Sequence, residues 1–119
     1  MTELRKMHWG IIGTGQIAKK FAADLSIVKN AKLVAFCGRS SESVATLSSQ
    51  YSVRGFTNLD QFLNEDLDIL YVATPHPFHR EHSISALSRG KAVLCEKPFT
   101  INQNEAREVV RAAQQNGVF

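Results

Sequence analysis

Glu96 and Lys97 stand side by side directly behind an apolar run, Ala92-Val93-Leu94-Cys95, and Pro98 follows them at once. An acid and a base at the end of a buried strand can do proton chemistry. When hydride leaves an alcohol carbon the hydroxyl proton must also go. A nearby ammonium stabilises the developing oxyanion, or relays the proton if its pKa is lowered. Glu96 could orient Lys97 or hold a ribose. The pair would equally serve as a surface ion pair beside a turn, and its chemistry alone leaves both readings open.

A second polar cluster, Thr74-Pro75-His76-Pro77-Phe78-His79, follows another apolar run, Leu67 to Val72. Two prolines hold such a loop rigid and extended. His79 either hydrogen-bonds a ligand or is a polar residue in the first turn of a helix, and His76 offers a weaker version of the same choice. His82 reads as solvent-facing, and His8 opens a strand. Four His and two Cys without metal-ligand spacing argue against a zinc site. No nucleophilic Ser or Cys constellation is present.

The third cluster is "GTGQIA", residues 13–18, which fits G-x-G-x-x-G/A between an apolar run and an amphipathic one. Gly13 allows the tight turn, Gly15 lets a pyrophosphate approach the backbone, and Ala18 lets the helix pack closely on the strand. The amides of Gly15, Gln16 and Ile17, with Thr14 beside them, would meet the anion at a helix N-terminus. The sequence lacks the Lys-Ser ending of an ATPase phosphate loop. These features point to a dinucleotide.

An NAD site usually carries Asp or Glu about 20 residues further on, at the end of the second strand. Here the chain reads Cys37-Gly38-Arg39-Ser40-Ser41, with no acid before Glu42. Arg39 could pair with a 2′-phosphate and stack on adenine, and Ser40 adds a hydroxyl. This favours NADP over NAD. The plainer alternative makes Arg39 a solvated cation and Ser40 a helix cap.

The elements that must position these residues alternate. Strands are expected at 8–13, 32–37, 54–56, 67–74 and 91–96. Helices are expected over 15–25 (Ile17, Phe21 and Leu25 on one face), 40–51 (Val44, Leu47, Tyr51), 57–64, 79–90 (Ile84, Leu87) and from a capping box at Asn102 and Glu105 to Asn116. Strand 67–74 is nearly all apolar and should be central and covered on both faces. The pattern predicts an α/β, Rossmann-type doubly wound parallel sheet with helices on both faces. Ligands in such sheets sit beyond the carboxyl ends of the strands, which would bring the three clusters to one rim.

The 119 residues suit one domain with a single core. Net charge is +3, with no run of five cations, so a nucleic-acid footprint is absent from the sequence. Steep salt dependence of duplex binding would be needed to revive that reading. Cys37 and Cys95 read as buried thiols of a reducing compartment, and no apolar stretch reaches membrane-spanning length, so the expected location is cytoplasmic. Gly117-Val118-Phe119 reads as the start of a sixth strand, as in a fragment of a longer protein.

Together, "WGIIGTGQIA", "LYVATPHPFH" and "GKAVLCEKP" resemble the N-terminal domain of the glucose–fructose oxidoreductase / inositol dehydrogenase (Gfo/Idh/MocA) family, over essentially all of residues 1–119. The match looks nearest to its NADP-dependent dihydrodiol and D-xylose dehydrogenase branch. The resemblance implies an NAD(P)-binding domain whose partner, a C-terminal α+β domain, supplies most of the substrate site and the homo-oligomer interface. It implies hydride transfer with sugars, cyclitols or vicinal diols, with Lys97 as catalytic lysine and Glu96 beside the cofactor. Thr74, Pro75 and His79 match the family's T-P-x-x-x-H near the nicotinamide ribose. His76 departs from the asparagine usual there. The competing expectation is a non-catalytic NAD(P)-sensing regulatory module, which would keep the glycine turn without needing Lys97.

Overall fold

Alternate residues along each strand face opposite sides of a sheet, so a strand covered on both sides can be apolar throughout. The computed structural model describes residues 6–74, 78–95 and 103–117, the side chains of 103–105 excepted. Its five strands are β1 (Met7–Ile12), β2 (Ala31–Cys37), β3 (Arg54–Phe56), β4 (Ile69–Val72) and β5 (Ala92–Cys95). They pair in parallel in the order β3-β2-β1-β4-β5. The helices between them are α1 (Gln16–Leu25), α2 (Ser41–Tyr51), α3 (Leu59–Leu63) and α4 (His79–Leu87), and α5 (Gln103–Asn116) follows β5.

The register puts Phe56, Cys37, Ile12, Val72 and Cys95, the last residue of each strand, in one row. The five strands therefore end at one level, along one edge. Ile12, Cys37 and Val72 face Phe62 and Leu63 of α3, Ala86 and Leu87 of α4, and Val109 and Ala112 of α5. One residue earlier, Ile11, Phe36 and Tyr71 face Ala18 and Ala22 of α1 and Leu47 of α2. Burying each such Leu, Ile or Phe stabilises the fold by roughly 1.5–3 kcal/mol.

Local signals set the helix boundaries. Ser40 Oγ accepts from the Ser43 amide at 3.2 Å and caps α2; Asn58 Oδ1 accepts from the Gln61 amide at 3.0 Å and caps α3. Helix α4 runs out through Gly90, whose φ of 75° ends it. Gly10 leaves room for the buried Phe62 ring, since a Cβ there would lie 2.7 Å from Phe62 Cζ.

Three expectations are adjusted. The apolar run 67–74 forms a strand only over Ile69–Val72, inside the sheet but with β1 as its middle strand. On α1 the inward face is Ala18, Ala22 and Leu25, while Ile17 is 52% exposed. Cys37 is buried, whereas Cys95 is only half-buried. The Asn102 cap, the Glu105 side chain and the sixth strand expected at 117–119 lie outside the described residues. Among the described residues no helix is long and apolar enough to cross a membrane.

Candidate functional site

β1 ends between its two neighbours and is tied to both. The Gly13 amide donates to Cys37 O at 2.8 Å, and the Ala73 amide donates to Ile12 O at 2.8 Å. The turn that follows has φ +122° at Gly13, and a Cβ there would lie 2.8 Å from Ala73 O and 2.9 Å from Ala73 C. Those are backbone atoms of the adjacent strand's loop, so glycine is required at this point.

Gly15 differs. It is the N-cap of α1 with φ −80°, and no described atom lies within 4 Å of where its Cβ would stand. No side chain caps α1, and its first turn, Gln16-Ile17-Ala18, carries no acid. Its leading amides therefore point at open space with the positive end of the helix dipole behind them, as an anion site requires. Ala18, fully buried, packs with Ile11 and Phe36. The residues present thus fit a pyrophosphate: the cradle is open, and the turn that shapes it is closed.

The space in front of Gly15 is a cleft of about 650 Å³ along the carboxyl edge. Gly13, Thr14, Gly15, Gln16 and Ile17 form its floor; Arg39 and Ser40 stand on one side, and Thr74, Phe78, His79 and His82 on the other. Cys37 also lines it, but burial pushes its thiol pKa up to about 11, so it is a protonated wall and not a nucleophile. Thr14 packs toward the end of β2, where a Cβ on Gly38 would lie 2.9 Å from its Cγ2. Ser40 both lines the cleft and caps α2.

Arg39 is exposed, and its guanidinium carbon sits 3.9 Å from the centre of the Phe78 ring across the cleft. The same ring stacks with His82, centroids 5.8 Å apart and planes 18° apart. His82 Nδ1 lies 2.9 Å from Thr74 Oγ1. His79, 2% exposed, donates from Nε2 to Thr74 O at 2.6 Å. Both histidines thus fix Thr74 at the end of β4.

The placement of His82 corrects the expectation that it faces solvent. It lies four residues after Phe78, so one helical turn returns it to the cleft side of α4. That i to i+4 relation to an aromatic in the candidate loop was the available signal. Burial lowers its pKa most; Arg39 and His79 lower it further, and Glu81 opposes them. Phe78 gives no such signal in the sequence, because an aromatic between Pro77 and His79 carries no ionisable or nucleophilic group. Pro75, His76, Glu96 and Lys97 lie outside the described residues. Cys95, which precedes Glu96 in the chain, ends β5 level with Val72.

Residues 7–119 match the family described as "Oxidoreductase family, NAD-binding Rossmann fold", the Gfo/Idh/MocA oxidoreductases. The chain belongs to this family. Among Gfo/Idh/MocA-like relatives it is 32% identical over 114 residues to scyllo-inositol 2-dehydrogenase (NADP(+)) IolU of Bacillus subtilis (strain 168), covering 94% of this chain and 35% of that protein. It is 32% identical over 117 residues to trans-1,2-dihydrobenzene-1,2-diol dehydrogenase of Mus musculus, covering 95% and 35%. The WlbA dehydrogenase of Bordetella pertussis, solved with NADH and UDP-GlcNAcA, superposes with a TM-score of 0.92 at 28% identity, covering 96% of this chain and 36% of that one. The chain spans about a third of the length of the relatives it matches.

Proposed function

We propose that this chain is the cofactor-binding domain of an NADP-dependent oxidoreductase that moves hydride between a nicotinamide ring and a sugar or vicinal diol. One observation carries the reading. The open N-terminus of α1 and the Arg39 guanidinium face the same cleft, and the β2 end that delivers Arg39 holds no carboxylate. A carboxylate there would repel a 2′-phosphate, whereas a guanidinium binds it. The activities of two relatives, dehydrogenases of an inositol and of a diol, support the substrate class.

In this account the amides of Gly15, Gln16 and Ile17 hold the pyrophosphate and Thr14 closes the turn over it. Arg39 and Ser40 take the adenosine ribose with its phosphate. Thr74, with Pro75, His76 and His79, flanks the nicotinamide ribose. The bound cofactor supplies the hydride donor or acceptor. Lys97, two residues after the end of β5 in the chain, stabilises the substrate oxygen as its proton is lost, and Glu96 orients Lys97 or the ribose. We assign the rest of the substrate pocket, and subunit contacts, to a second domain of the full-length protein.

Lys97→Ala in the full-length protein tests the catalytic part. Turnover should fall about 10²- to 10⁴-fold, the range for a lost acid–base group, with NADPH affinity kept. Unchanged turnover removes Lys97 from the mechanism. Cofactor binding without turnover in the wild type favours a sensing module.

A further inference from the structure

A hydroxyl has a single proton, and where that proton points decides how the oxygen meets a ligand. Thr74 lies two residues beyond the end of β4 and lines the cleft. Two histidines of α4 hold it by different atoms. His79 Nε2 donates to its carbonyl at 2.6 Å, a bond whose direction is fixed because a carbonyl only accepts. His82 Nδ1 lies 2.9 Å from its Oγ1, and there either atom can carry the proton. Chemistry decides between them. A neutral imidazole has one N–H, and the form protonated at Nε2 is the more stable tautomer of a free histidine side chain. His82 is half-buried, and its surroundings favour the neutral ring: burial, Arg39 from the loop behind β2 and His79 on α4 all oppose a second proton, against Glu81 on α4. Nδ1 is then a bare lone pair, and the Thr74 hydroxyl is the donor beside it.

We propose that His82 is a positioning residue for the nicotinamide half of the cofactor: its Nδ1 accepts the Thr74 hydroxyl proton, which leaves the Oγ1 lone pairs to accept a hydrogen bond from a ribose hydroxyl. His82 acts only through Thr74 in this account and touches no part of the cofactor's adenosine. Its contribution is preorganisation. A threonine hydroxyl without that acceptor rotates among its staggered positions and must be ordered when the ribose arrives, whereas here the protein has already ordered it. This role deepens the cofactor reading above and rests on it, since that reading assigns Thr74 to the nicotinamide ribose.

The test titrates the full-length protein at pH 7.5 with two ligands, NADPH and adenosine 2′,5′-bisphosphate, which lacks the nicotinamide and its ribose. His82→Phe keeps a ring and removes the acceptor. It should weaken NADPH about threefold to tenfold, the share of one hydrogen bond, and leave the bisphosphate unchanged. His82→Asn, whose Oδ1 stands in for Nδ1 as an acceptor, should restore NADPH affinity. In a Thr74→Val background His82→Phe should cost NADPH nothing further, because the hydroxyl through which His82 acts is gone. Nitrogen NMR of the wild type should show His82 with a bare Nδ1 and a protonated Nε2. Unchanged or tighter NADPH binding by a folded His82→Phe, an equal loss for the bisphosphate, a His82→Asn no better than His82→Phe, a full loss retained in Thr74→Val, or a protonated Nδ1 overturns the positioning role and leaves the cofactor reading standing. A wild-type protein that binds neither NADPH nor the bisphosphate overturns both.

Discussion

Thr74 Oγ1 and His82 Nδ1 lie 2.9 Å apart, joining the chain after β4 to α4 along one side of the cleft. Burial favours the neutral imidazole at this contact, since it lowers the His82 pKa below its ordinary 6.5.

The sign of the pH effect follows. Well above pH 6.5 His82 is neutral both folded and unfolded and contributes no pH dependence. As pH falls through 6.5 the unfolded chain takes up its proton first, because the folded pKa is the lower one, so stability is lost on acidification. Thermal melts at pH 7.5 and 5.5 should show a larger fall in Tm for the wild type than for His82→Gln. An equal fall would mean that His82 titrates normally in the fold.

The two glycines of the turn should fail in different ways. Gly13→Ala places a Cβ 2.8 Å from Ala73 O at φ +122°. Strain of this kind costs about 1–3 kcal/mol before the clash is counted, so Tm should drop by several degrees. Gly15→Ala meets no described atom within 4 Å and sits at φ −80°, so Tm should hold while dinucleotide affinity falls, because the new methyl enters the phosphate cradle. Parallel melts and NADPH titrations of both variants check this. Equal loss of stability in both would contradict it.

Much of the fold was legible because each boundary has a local cause. Ser40 and Asn58 cap through their own side chains and Gly90 stops α4 through its own φ; residue type alone points to a cap at Ser40 or Ser41 and to a stop at Gly90. The glycine turn was equally plain, since Gly13, Gly15 and Ala18 each do a separate backbone task. What escaped depended on partners distant in sequence. Leu67 is 4% exposed yet lies outside any strand, so its hydrophobicity lengthened the apparent strand. Ile17 carries the same helical period as Phe21 and Leu25, but the first turn of α1 overhangs the cleft, where nothing covers it among the described residues. His82 and Phe78 matter only through Arg39 and Thr74, which the fold brings to them.

Ser48 offers a test of packing away from the cleft. Its Oγ is buried against Gly55 between α2 and β3, and it has no hydrogen-bond partner among the described residues. A buried unsatisfied hydroxyl costs about 1–3 kcal/mol, so deleting it should be neutral or stabilising. Ser48→Ala should raise Tm by up to a few degrees. A fall of several degrees would show that the hydroxyl is satisfied in solution.

The central claim, a cleft that holds NADP by its phosphates, is tested most directly by titrating the protein with NADPH and NADH separately, with and without Arg39→Ala, following nicotinamide fluorescence. The account predicts that NADPH binds tighter than NADH. It also predicts that Arg39→Ala weakens NADPH roughly tenfold more than NADH, the share of a lost charge-assisted phosphate contact. Equal affinities for the two cofactors, tighter NADH, or an Arg39→Ala loss shared equally between them would contradict it.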